Sequence, residues 1–133
     1  MIERDQLASL LTVMSLRIAQ QEASLAPVVA RLASIRDRLN ALDGPLEDAP
    51  SPMETQVALR HGRWRAHKRQ TLNREMALLR ATELDLREAL NRMRAQAEAL
   101  EELDAARARS EASAKMTAEL EHLLALTLQA QTS

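Results

Sequence analysis

The chain contains no cysteine, no phenylalanine and no tyrosine, and tryptophan occurs once, at Trp64. The absence of cysteine excludes disulfides and fits a reducing compartment. Aromatic rings carry much of the buried area in compact cores. Their near absence, beside abundant Leu, Ala, Arg, Glu and Gln, argues against a sandwich or barrel and for long helices. Gly44 and Gly62 are the only glycines, so tight turns are few. Charge of one sign is also missing: the net charge is −1 over 133 residues, which gives no overall pull toward nucleic acid or anionic lipid. The uncharged run from Leu7 to Leu16 is too short to span a bilayer. The opening Met-Ile-Glu-Arg-Asp-Gln has no net positive stretch, and Arg17 follows the run, so it reads as helix and not as a secretory signal. The length predicts a single domain.

What is present is a spacing. Leu7, Leu11, Met14, Ile18, Gln21, Leu25, Val28, Leu32, Ile35, Leu39 and Leu42 alternate steps of four and three, and only Gln21 among them is polar. Within that span just four other large aliphatic residues occur, Leu10, Val13, Leu16 and Val29. A 4-3 alternation is the period of a left-handed coiled coil. A helix with so narrow a stripe needs a partner helix, because alone it leaves the stripe wet. The spacing predicts a first helix over about 3–43. Asp43, Gly44 and Pro45 then form a stop signal, and 44–51 reads as a polar turn. Ser51 as cap, Pro52 at the first helical position and Glu54 as the capping-box acid restart the chain as a second helix over about 52–130. Pro27 lies inside the first helix, but Leu25, Val28 and Leu32 keep the repeat in phase. This predicts a kink with Pro27 on the outer face.

The second helix carries a matching ladder: Leu72, Met76, Leu79, Glu83, Leu86, Leu90, Met93, Ala97 and Leu100. Folding the chain at the turn predicts an all-α antiparallel coiled-coil hairpin, monomeric, with a long C-terminal helical extension. One register aligns six layers: Leu72 with Leu25, Met76 with Gln21, Leu79 with Ile18, Glu83 with Met14, Leu86 with Leu11, and Leu90 with Leu7. Its weak stretch lies near the turn, where Arg69, Arg65 and Gly62 fall opposite Val28, Leu32 and Ile35; a local phase shift bringing Trp64 and His61 inward would relieve it. In this register the first helix covers the second to about residue 93. The remaining leucines form an apolar overhang, with Leu100, Leu103, Met116, Leu120, Leu123 and Leu124 as partner-binding candidates. The alternative is a bend at 109–115 that folds the end back as the third helix of a bundle. Leu10, Val13 and Leu16 form a second stripe that suits either arrangement.

Residues 55–74 hold Arg60, Arg63, Arg65, Lys68, Arg69 and Arg74 without an acid, with His61, His67 and Trp64 among them. This stretch reads either as a docking patch for an acidic partner or for phosphates, or as a solvated helix face. Nucleic acid is the less favoured partner, since no series of stacking aromatics accompanies the charges. Glu98, Glu101, Glu102 and Asp104 read as a solvated acidic surface. His61, His67 and His122 share no ligand spacing, so neither a metal nor another cofactor is expected. No glycine-rich phosphate loop, nucleophile elbow or Cys/His pair occurs, and a two-helix hairpin offers no cleft for chemistry. The expectation is a protein that is not an enzyme. Gln21 and Glu83 interrupt the two ladders, either fixing register or sitting half-exposed in a thin seam.

The order of segments is a Leu-rich first helix (Leu7-Ala-Ser-Leu-Leu11, then Gln20-Gln21), a polar turn, and a longer Arg-rich helix. That helix carries Trp64-Arg-Ala-His-Lys68, Leu72-Asn-Arg-Glu-Met76 and Ala99-Leu100-Glu-Glu-Leu103. Over most of its length this resembles the flagellar FliJ family and the stalk proteins of type III secretion. The resemblance implies a cytoplasmic coiled-coil stalk, peripheral to a membrane-embedded export machine, that contacts the hexameric export ATPase and the export gate. A general structural adaptor that self-associates or bridges proteins is the alternative reading. A nucleic-acid-associated coiled coil using 60–74 is the third.

Overall fold

A computed structural model describes residues 3–43 and 52–132. Two helices account for them: α1, Arg4–Leu42, and α2, Pro52–Thr132. Among the described residues there is no strand. The fold is the expected all-α helical hairpin.

Local chemistry sets the described ends. At the start of α1 the Glu3 N–H donates to Gln6 Oε1 at 3.2 Å, and the Leu7 N–H donates to the Glu3 carbonyl at 3.0 Å. Gln6 thus plays the returning half of a capping box, and Asp5 in the first turn suits the positive end of the helix dipole. At the other end the Asp43 N–H donates to the Asn40 carbonyl at 3.2 Å, tightening the last turn. α2 opens on Pro52, whose missing N–H costs nothing at a first helical position. The expected Gly44 stop and Ser51 cap lie outside the described residues. Pro27 is exposed within an unbroken α1, on the outer side as its phase required.

The chain divides into two compact units, Ile18–Arg92 and the pair of segments Met1–Arg17 with Met93–Ser133. In the first of these, α1 and α2 run antiparallel. Gln21 reaches Leu86, Arg31 reaches Glu75 and Asp43 meets Arg69, so α2 partners descend as α1 ascends. Ile35 and Leu72 are the driest side chains here, at 0% and 2% exposure. In the second unit Leu7 and Met14 are buried on α1. Met93, Ala97, Leu100, Asp104 and Arg107 are the half-covered stripe on α2, and Arg4 lies 3.8 Å from Glu111.

Burial follows the ladders closely. All eleven α1 positions of the 4-3 series are buried or half-buried, and Ser34 is the only other α1 side chain that is even partly covered. All nine α2 ladder positions are likewise covered. The register differs from the one expected. Gln21 lies beside Leu86 and not Met76, and Arg31 pairs with Glu75 at 2.6 Å. The helices are therefore offset by about ten residues, or about 15 Å of rise, from the six-layer alignment. The reason is visible in the weak stretch of that alignment. The observed offset brings Leu72 level with Ile35, and moves Arg69 beyond the apolar layers to Asp43 at the end of α1. Arg65 and Arg69 no longer face Leu32 and Val28.

Three further expectations change with the register. Trp64 and His61 do not turn inward: Trp64 is 54% exposed. Cover on α2 reaches Arg107 and not residue 93, and every described side chain beyond Arg107 is exposed. α2 continues to Thr132 with no break at 109–115, so the third-helix alternative is not what forms.

Gln21 has a specific role in the seam. Its Nε2 donates to the Leu86 carbonyl oxygen at 3.1 Å, using the second lone pair that a helical carbonyl retains. Glu83, the other polar interruption, is half-covered and lies 3.5 Å from Arg87 one turn along, a pair of small energetic weight.

Two outcomes test this arrangement. Replacing Ile35 with Ala should cost about 2–5 kcal/mol in chemical denaturation, as truncation of a fully buried aliphatic side chain does, while Leu78→Ala on the exposed face should change little. Nitroxide labels at positions 31 and 75 of one molecule should report a shorter distance than labels at 31 and 66, which the expected alignment would have placed level.

Candidate protein-docking faces

The six basic side chains of the 60–74 stretch do not act as one group. Arg60, Arg63, Lys68 and Arg74 are exposed, whereas Arg65 is half-buried at the edge of the covered stripe. Arg69 is exposed but engaged by the Asp43 carboxylate. The last α1 side chain with cover is Leu42, and the first on α2 is Arg65. Residues 53–64 of α2 are all exposed. On this segment His61 stacks on Trp64, with ring centroids 5.5 Å apart and planes inclined by 17°.

Met53, Val57 and Leu59 are exposed on the same segment. At 100° per residue, Met53, Val57 and Trp64 fall within about 40° of one another. The result is an apolar row ending in an aromatic pair, with Arg60 inside it and Arg63 and Arg65 flanking it. Sequence reasoning singled out the charges and passed over the row. The signal was present in the spacing of 53, 57 and 64, hidden because His61 and Arg60 occupy the place where a ladder leucine would stand. A shallow furrow crosses α2 nearby, lined by Ala66, Arg69, Gln70, Asn73, Arg74 and Ala77. Its walls come from one helix only, so it encloses no ligand.

The apolar candidates of the second unit also divide. Leu100 is half-buried and belongs to the seam. Leu103, Met116, Leu120, Leu123 and Leu124 are exposed, as are Leu126 and Leu128. Leu10, Val13 and Leu16 are exposed on α1 in this unit. Met116, Leu120 and Leu123 fall within about 60° of one another, with Leu124 about 40° further round. The row is rotated by roughly 150° from the covered positions 93–107, so it faces away from α1. Glu119 and Glu121 flank it.

Glu98, Glu101 and Glu102 are exposed and Asp104 is half-covered. Among the described residues no group of three or more His, Asp or Glu is placed to hold a metal ion, and no helix is long and apolar enough to cross a membrane. No protein family, curated protein or solved structure matches this chain.

Because the Asp43–Arg69 pair is exposed on both sides, it is a weak element of the fold. Asp43→Asn should shift the denaturation midpoint by less than about 1 kcal/mol of stability, far less than Ile35→Ala.

Proposed function

We propose that this protein is a non-enzymatic coiled-coil adaptor that works as a cytoplasmic stalk of a flagellar or type III protein-export apparatus. In this reading it contacts the export ATPase ring and the export gate. The observation that carries it is the division of the surface. The ladders of α1 and α2 are covered along their paired lengths, while 53–64 and 108–132 of α2 keep every described side chain exposed. A helix pair built in this way is stabilised by its seam and recognises partners with its uncovered ends.

The Arg-rich segment supports contact with an acidic surface such as the inner wall of a ring, where Arg60, Arg63, Lys68 and Arg74 supply long-range attraction. The exposed leucines from Leu103 to Leu124 supply apolar contact. The resemblance of Trp64-Arg-Ala-His-Lys68 and the neighbouring segments to the export stalks supplies the partner class.

The purified chain should bind a purified export ATPase and change its hydrolysis rate, and Arg60→Glu with Arg63→Glu should weaken binding by about tenfold or more. An unchanged rate with no detectable binding would remove the stalk assignment. The general adaptor reading would then stand on the exposed leucines alone.

A further inference from the structure

The two uncovered ends of α2 are complementary to each other in charge and alike in shape. One end carries the row Met53, Val57 and Trp64 with Arg60 and Arg63 beside it and Glu54 as the acid of the segment 53–64; from 55 to 74 there is no acid. The other end carries the row Met116, Leu120 and Leu123, with Glu119 and Glu121 beside it and Lys115 just before it; from 116 to 132 there is no lysine or arginine. Both rows are exposed, Trp64 at 54% and Met116 at 64%. Each is a short helical stripe of about two turns, the form in which one helix lays its apolar face against another.

We propose that the basic end of α2 in one molecule docks on the acidic end of α2 in a second copy of the same chain. Charge chooses this pairing over the pairing of like ends. Two acidic ends placed together would bring Glu119 and Glu121 of both copies against one another, and two basic ends would do the same with Arg60 and Arg63. Like charges at a contact oppose it, whereas the mixed pairing places guanidinium groups beside carboxylates at the rim of an apolar strip. The contact uses two different patches, and it forms once between molecules joined end to end or twice in a two-fold pair running in opposite directions. Two stripes of a few side chains make a small interface, below about 1,200 Å² in total, which belongs to the weak and reversible class. Dilute protein is therefore a single molecule, and assemblies of two or more copies form as concentration rises. The same two ends are those assigned above to the export machinery, so self-association and partner binding compete.

The experiment uses the full chain alone, with no ATPase present, so its result is independent of the stalk assignment. Sedimentation of the unaltered protein should give an average mass that climbs with concentration above that of one chain and falls back at high salt. The double variant Arg60→Glu/Arg63→Glu has two acidic ends, and Glu119→Arg/Glu121→Arg has two basic ends; each alone should associate at least about tenfold more weakly. Mixed in equal amounts they restore opposite charges across the contact, and association should return. Trp64, the only tryptophan, gives a second readout on the unaltered protein: its emission should shift to the blue as concentration rises. A protein that stays monomeric with unchanged Trp64 emission overturns the proposal. So does association by Arg60→Glu/Arg63→Glu equal to that of the unaltered chain, or a mixture no more associated than its components.

Discussion

One constraint organises this molecule: an apolar stripe so narrow that a single neighbouring helix can cover it. The 4-3 series on α1 admits little apolar surface to either side, and Ser34 is the only off-ladder α1 side chain that gains even partial cover. A wider stripe would demand a bundle, and a scattered one would give no helix pair. Among the described residues seven side chains are the buried hydrophobic core, and no polar or charged side chain is among the buried ones. Stability therefore comes from a line of small contributions along the helix axis, and not from a central cluster. Aromatic residues would add bulk that such a line cannot hold, which is why the chain manages with one, and places it outside.

The offset between the helices is the second constraint, and it is set by what the ladders exclude as much as by what they contain. Apolar ladders match one another in several alignments, since a shift along the repeat places leucine over leucine again. Charged positions break the degeneracy. Facing Arg65 toward Leu32 and Arg69 toward Val28 would bring guanidinium groups against the apolar ladder, a desolvation cost without a partner. The observed offset carries Arg69 to the Asp43 carboxylate and aligns Arg31 with Glu75. The exposed ion pairs contribute little net energy; their effect is to favour one alignment among several of similar apolar content. Gln21 adds a directional bond to the Leu86 carbonyl, which an aliphatic residue at that layer could not make.

The consequence for function is positional. Sliding α1 along α2 decides which parts of the longer helix are left uncovered. In the observed register 53–64 and 108–132 are uncovered, and these segments carry opposite charge beside short apolar rows. Had the helices met ten residues differently, Leu100 and its neighbours would be surface and the Arg-rich segment would lie partly in the seam. Which side chains of α2 stay on the surface is thus a by-product of its register.

Much of this was legible without coordinates. The repeat of Leu7 to Leu42 named every covered position of α1 but Ser34, the ladder from Leu72 to Leu100 named nine covered positions of α2 but not Arg65, Glu75, Ala89, Asp104 or Arg107, and Pro27 was assigned outward from phase alone. These are local and periodic properties: helical geometry converts spacing into a face, and a face of that width needs one partner. Sequence by itself determined that there are two antiparallel helices and which stripe of each is dry. Tertiary structure alone decided how far one helix is displaced along the other, and with it the exposure of Trp64, the place of Leu100 in the seam and the reach of cover to Arg107. The physical reason is that a heptad repeat is nearly indifferent to sliding, so the choice falls to a few charged and polar side chains whose partners are known only once both helices are in place.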